Sequence, residues 1–361
     1  MAETNDLNFE NSSTENLPKI EIIPKKIWWK KYDFINSLTI GSPFGLEDEY
    51  IIVGNEGGRV SLVSPNIRNT PISDVTLETK GGPIQSLMLQ DLTGFKQLDL
   101  VSGDSYGNVT LFSRSQILSR DFVGSPVTCL EKYCDTAGEF EIIVGDASGK
   151  LTSFRLHEQN WKLNLVEQST SIISSGLDSN RMDPAIRCML YTILPDKFGV
   201  ETSYLLVCDG TPFVHFIQNG SRVLSIKLPS VINTMCRGNF TRTPVNEKYY
   251  QVALGGDDGT VYILDSHERT KVFPYFQLEH PITNLVTIRL ENQGADSLVC
   301  TGHFDKCHIL REGEIFLSIP TSDWVHCIAV SDLNCDGKNE LIFSLLNGVI
   351  EVWTFVSGDN L

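Results

Sequence analysis

Residues 53–63 read VGNEGGRVSLV, and the chain repeats that design four more times. Residues 101–112 are VSGDSYGNVTLF, 144–154 VGDASGKLTSF, 254–264 LGGDDGTVYIL and 344–353 SLLNGVIEVW. Aligned on Gly54, Gly103, Gly145, Gly255 and Ser344, each copy has a glycine four positions later: Gly58, Gly107, Gly149, Gly259 and Gly348. A tight turn needs a residue at positive φ, which glycine adopts without a Cβ clash. The apolar residues that follow alternate with polar ones, as on a strand with two unlike faces. The turn therefore joins two strands.

Working outward, seven segments share one layout: an apolar strand, a loop, a second strand, the turn and a third strand. They begin near Ile35, Ile84, Val127, Ile186, Ile232, Ile282 and Val325, 43 to 59 residues apart. Self-similarity at that period is expected of propeller blades. Two turns depart from the pattern, with Pro212 and Lys306 at the glycine position of the fourth and sixth copies. Outer fourth strands are expected at ISDVTLET from Ile72, SRVLSIKLP from Ser221, VFPYFQLE from Val272 and GEIFLSIPT from Gly313. The seventh copy has no room for one after Trp353, while KIEIIPKKIWWKKYDF from Lys19 is apolar and unassigned. An open strand edge is a liability, so residues 19–31 are expected to complete the last blade. The fold class is thus all-β, a seven-bladed β-propeller over 19–361, with 1–18 a disordered acidic tail. Residues 156–185 read as a long insertion between blades three and four, a place where a partner site or a tolerated surface loop sits. Residues 240–248 are a shorter case.

Of the 361 residues, 41% are hydrophobic and 20% charged, enough to build a core. The net charge of −16 repels phosphate backbones, so nucleic acid is not expected as a partner. The opening MAETNDLNFENSSTENLPK lacks the basic end and apolar run of a secretory leader. Apolar runs are strand-sized, short of the roughly 20 residues a membrane-spanning helix needs. Nine cysteines show no CxxC frame, and Cys129, Cys188 and Cys327 each fall two residues after Val127, Ile186 and Val325. Matching sites on different blades are too far apart to bridge, so the thiols read as reduced in a cytosolic protein.

The last blade, VHCIAVSDLNCDGKNELIFSLLNGVIEVW from Val325, resembles an FG-GAP repeat of the integrin-α type: strand, D-x-[DN]-x-DG-x-x-[DE], strand. The second blade, from Ile84, is a worn copy that keeps Asp91 and Asp99 at the outer spacing. The other blades keep the strands and lose the acidic loop. Within that family the chain looks most like the intracellular propellers of the KICSTOR complex, and more distantly like the BBSome propellers. The resemblance implies a subunit of an amino-acid-sensing scaffold upstream of the TOR kinase. It implies a second propeller as a partner in a multisubunit complex, and a cytoplasmic location with recruitment to the lysosomal or vacuolar surface. A trafficking adaptor and a Ca²⁺-dependent adhesion or lectin-type propeller are the alternatives.

The candidate metal residues are Asp332, Asn334, Asp336 and Glu340, with Gly337 at the turn. Oxygens at alternate positions can converge on one hard cation, and in integrin-type loops such a set binds Ca²⁺. The same side chains can instead bond their own backbone as Asx turns. His303, Cys307 and His308 carry zinc-ligand chemistry, but the last two are adjacent and face opposite sides of a strand. Lys25, Lys26, Trp28, Trp29, Lys30 and Lys31 suit either a lipid or acidic surface or a closing strand with lysines guarding its edge. The glycine turns lack the Lys–Ser/Thr ending of a phosphate loop, and no GxSxG or HExxH occurs. The expected function is a non-enzymatic protein-interaction scaffold needing no cofactor beyond the possible Ca²⁺.

Overall fold

The computed structural model of this chain describes residues 22–65, 74–135, 137–156, 158–165, 185–195, 198–241, 251–265, 271–290 and 294–357. Among them, β1 (Ile22–Lys31) stands first and blade one follows as β2 (Ile35–Gly41), β3 (Tyr50–Asn55), β4 (Arg59–Val63) and β5 (Val75–Glu78). Blade two is β6 (Ile84–Gln90), β7 (Asp99–Asp104), β8 (Asn108–Ser113) and β9 (Gln116–Phe122). Blade three is β10 (Val127–Cys134), β11 (Phe140–Asp146), β12 (Lys150–Arg155) and β13 (Glu158–Asn164). Blade four is β14 (Cys188–Pro195), β15 (Glu201–Cys208), β16 (Phe213–Gln218) and β17 (Ser221–Lys227). Blade five is β18 (Ile232–Gly238), β19 (Gln251–Gly256), β20 (Thr260–Asp265) and β21 (Lys271–Gln277). Blade six is β22 (Ile282–Ile288), β23 (Ser297–Gly302), β24 (Lys306–Arg311) and β25 (Glu314–Pro320). Blade seven is β26 (Val325–Ser331), β27 (Glu340–Leu345) and β28 (Val349–Ser357).

Each blade is one antiparallel four-stranded sheet, and the inner strands β2, β6, β10, β14, β18, β22 and β26 touch in cyclic order. This is a seven-bladed β-propeller. Six inner strands begin at the residue the repeat indicated. The seventh, β14, begins two residues after Ile186 and lacks the bulge that follows the first residue of every other inner strand. Second strands are buried along their length, as in β7, β19, β23 and β27, because a neighbouring blade covers each face. Outer strands such as β9, β17 and β25 are largely exposed.

Blade seven is closed by the other end of the chain. β1 runs antiparallel to β28, from Ile22 opposite Ser357 to Lys31 opposite Val349, with a bulge between Lys26 and Trp28. Ile27 and Trp28 pack half-buried against a cluster containing Ile35, Ile51 and Val352, each contributing on the order of 1 kcal/mol by apolar burial. One hydrogen bond shows that β1 replaces a normal fourth strand. In the other six blades the residue leaving strand four donates its N–H to the carbonyl of the residue just before strand three. The pairs are Thr79 to Gly58, Val123 to Gly107, Leu165 to Gly149, Leu228 to Pro212, Leu278 to Gly259 and Thr321 to Asp305. In blade seven, Tyr32 N donates to Gly348 O at 2.8 Å.

That series corrects one assignment: Asp305, not Lys306, holds the glycine position of blade six. The ladder pairs Cys300 with His308, so Thr301 takes the place of Gly54 and the frame shifts by one. The insertion is also shorter than the polar stretch suggested. β13 lies inside 156–185 and supplies the outer strand of blade three, and 166–184 lie outside the described residues. The tail 1–18, residues 19–21, most of 240–248 and the first residues of the ISDVTLET strand also lie outside them.

The two turn positions are restricted for different reasons. Gly58, Gly107, Gly149, Gly259 and Gly348 have φ of 71° to 86°. The first member of the pair has no such need. A Cβ on Gly145 would lie 2.7 Å from Ile186, and one on Gly255 2.8 Å from Ile282, the first inner residue of the following blade. Gly54 and Gly103 meet Ile84 and Val127 in the same way. Close packing leaves no space there for a methyl group.

Candidate interaction surface

The ring has two ends. One carries the turns between strands two and three and the blade-to-blade linkers (the turn face). The other carries the loops between strands one and two.

At the channel mouth on the turn face, polar residues among those described tie neighbouring blades together at five of the seven junctions. Ser86 Oγ accepts from Leu130 N at 3.0 Å, and Thr234 Oγ1 accepts from Leu285 N at 3.3 Å. Arg187 donates to Asn233 Oδ1 at 2.7 Å, Asn233 to Ile282 O at 3.2 Å and Asn284 to His326 O at 3.2 Å. His326 Nε2 lies 3.2 Å from Asn36 O, carrying the belt across the closure. The recurring cysteines stand at matching positions near the start of their inner strands, and Cys327 Sγ lies 3.6 Å from Asn36 O. All nine thiols are free. Burial pushes Cys327 up to about 11 and Cys236 up to about 12, which keeps them protonated and unreactive.

The acidic loop of blade seven turns its donors inward. Asp332 accepts from Asp336 N at 3.0 Å and Gly337 N at 2.9 Å, and Asp336 accepts from Lys338 N at 2.8 Å. Asn334 Oδ1 accepts from Asp336 N at 2.8 Å, while its amide nitrogen donates to Asp336 at 3.2 Å and Glu340 at 3.0 Å. Glu340 is buried and accepts from Leu333 N at 2.9 Å, and burial raises its pKa. Among the described residues no three such side chains converge on a metal position. In this arrangement the oxygens are engaged by N–H donors in Asx-turn geometry. Blade two repeats it: Asp91 accepts from Gly94 N and Lys96 N, each at 2.8 Å, and buried Asp99 accepts from Leu92 N and Thr93 N, each at 3.0 Å. The acid opening strand two caps the preceding loop from inside.

The zinc-type residues are not brought together. Cys307 is buried in the core, His308 Nδ1 bonds Ser318 Oγ at 2.9 Å, and His303 stacks on Trp324 with ring centroids 4.8 Å apart. On β1, Lys26 pairs with Glu351 and Lys30 with Asp74, both at 2.5 Å, while Trp28 packs inward and Trp29 is 64% exposed.

One constellation escaped the sequence. His215 Nδ1 lies 2.8 Å from Ser225 Oγ, and its Nε2 lies 3.4 Å from Asp209 Oδ2. Burial raises the Asp209 pKa, but bonds from His215 and Thr211 outweigh it and hold the carboxyl below its usual value. Blade six repeats the His–Ser half at His308 and Ser318, without the acid. The recurrence at matching ladder positions marks a cross-strand clamp. A His on strand three with a Ser ten residues later is the signal that was available. On the loop face, a cleft of about 490 Å³ between Pro274, Tyr275, Glu312 and Gly313 has Tyr275 and Glu312 as its titratable side chains.

The turn face carries an apolar arc. Trp324 is 43%, Leu346 47% and Phe34 65% exposed. Leu346 N donates to Trp324 O at 3.0 Å, and Tyr32, two residues before Phe34, bonds Gly348, two residues after Leu346. With His303 stacked on Trp324, the arc spans blades six, seven and one.

No family model and no curated protein matches this chain. Solved structures do. The crystal structure of BBS1N in complex with ARL6DN, soaked with lead, matches with a TM-score of 0.67 and 9% identity, covering 91% of this chain and 96% of that one. The mercury-soaked crystal of the same complex gives 0.65 and 11%, covering 92% and 96%. The WD40 beta propeller domain of Doa1 gives 0.61 and 10%, covering 90% and 94%. At these identities the likeness is one of fold. No helix among the described residues is long and apolar enough to cross a membrane.

Proposed function

We propose that this propeller is a protein-interaction scaffold that performs no chemistry of its own. The observation that carries the reading is the arc of Phe34, Trp324 and Leu346, which leaves three large apolar side chains in water on a rigid ring. Grouped exposed apolar residues on a soluble fold mark an interaction surface. The structural neighbours support it, since BBS1N was crystallised with the protein ARL6DN. The finer reading rests on sequence: an FG-GAP lineage, supported by the shared loop architecture of blades two and seven. It extends to a KICSTOR-like subunit with a second propeller as partner, in the cytoplasm and recruited to the lysosomal surface. A BBSome-like adaptor is the alternative.

The test is affinity purification of the tagged chain from its own cells at mild salt. A stoichiometric protein complex is expected, and recovery of monomer alone overturns the scaffold. Co-purification of a second propeller, with fractionation to lysosomes, supports the finer reading. A complex of other composition refutes that reading alone.

A further inference from the structure

The turn face bears charge as well as apolar surface. Around the arc from blade five to blade one lie Asp257, Glu279, Asp305, Asp323, Asp33 and Glu56, five of them exposed and Asp323 half-buried. Among the described residues none has an ion-pair partner. Asp33 precedes Phe34 and Asp323 precedes Trp324, so acid and aromatic alternate along the rim. Against these six stand Lys31, Lys306 and Lys80, with Arg59 already paired to Glu78 at 3.5 Å. Six carboxylates on one rim repel each other and gain most from a cation brought by a ligand.

From this complementarity we infer that the turn face docks a basic, extended segment of a partner protein, anchored by an apolar side chain. The anchor seats on the arc of His303, Trp324, Leu346 and Phe34, and lysines or arginines on either side meet the acidic rim. Arginine also stacks on the exposed faces of Trp324 and Phe34. A phosphorylated or acidic peptide, and an anionic membrane, are disfavoured by the same field. The inference rests on the scaffold reading and names the face and the chemistry of its ligand.

The probe is a displayed library of random peptides about a dozen residues long, selected on the full chain at low salt. Enriched peptides are expected to combine an excess of lysine and arginine with one large apolar residue. Their binding should weaken as salt rises and fall about tenfold or more in Trp324→Ala and in the Phe34→Ser/Leu346→Ser double variant. Asp33→Lys/Asp305→Lys, which leaves the apolar arc intact, should weaken binding comparably and flatten the salt dependence. Unchanged melting temperatures confirm that the variants are folded. No enrichment, enrichment of acidic peptides, or binding indifferent to these changes overturns the inference. The failures are separable: a native complex kept by Phe34→Ser/Leu346→Ser refutes this face and leaves the scaffold standing, whereas absence of any complex refutes the scaffold.

Discussion

Substituting Gly348 by alanine tests the ring closure with a control built into the same blade. Gly348 and Gly337 both have positive φ, 80° and 83°. An alanine pays about 1 kcal/mol or slightly more for that conformation at either site, and the gain from a stiffer unfolded chain is common to both. Their surroundings differ. A Cβ on Gly337 meets nothing within 4 Å, whereas one on Gly348 collides with the carbonyl oxygen of Tyr32. Relieving that collision moves the end of β1. It sacrifices the Tyr32 N to Gly348 O bond, about 1 kcal/mol, and strains the closing pair by roughly another 1 kcal/mol. Gly348→Ala is therefore expected to cost about 3 kcal/mol and Gly337→Ala about 1 kcal/mol. At about 2 °C per kcal/mol for a chain of this size, melting followed by circular dichroism should separate the two by about 4 °C. Equal losses would show that Tyr32 does not sit over Gly348 in solution, and the closure argument would fall with it.

Three further outcomes are expected. Removing residues 1–17 should leave solubility and melting unchanged, whereas removing 1–33 exposes the edge of β28 and should give aggregated protein by size-exclusion chromatography. Glu131, on the inner strand of blade three, has its pKa raised to about 7 from 4.5, chiefly by burial and against the N–H of Lys132 and the charges of Lys132 and Arg237. The folded state thus holds this proton more tightly than the unfolded one. Its contribution is full below about pH 4.5 and is lost as pH rises through about 7. Urea unfolding should show stability falling over that window, with a shallower slope in Glu131→Gln; an unchanged slope refutes the assignment. Millimolar Ca²⁺ should leave the melting temperature unmoved, because the 332–340 oxygens already accept N–H bonds; an upward shift of several degrees would restore the calcium site.

Much of this architecture is written locally. Strand alternation and the turn glycines are set by residues a few positions apart, so six inner strands begin where the repeat places them. The closure is equally legible: a last blade one strand short and an unassigned apolar segment at the opposite terminus have one economical solution. Lys306 was misplaced because blade six carries a glycine at 302 that mimics the repeat, and only ladder pairing reveals the frame. The acidic loop reads as a cation site in one dimension. Its inward Asx bonds depend on how the buried acid at the head of strand two meets the loop above it.

The docking face belongs wholly to the tertiary structure. Phe34, Trp324 and Leu346 come from a linker, another linker and a turn, at opposite ends of the sequence. No periodic pattern marks them, because each is a lone exposed residue in its own segment. Gly54, Gly103, Gly145 and Gly255 likewise look like turn residues, yet the branched side chain opening the following blade is what excludes a Cβ there. Contacts within a blade follow from neighbouring sequence. Contacts between blades exist only once the ring has closed, and those are the contacts that build the surface.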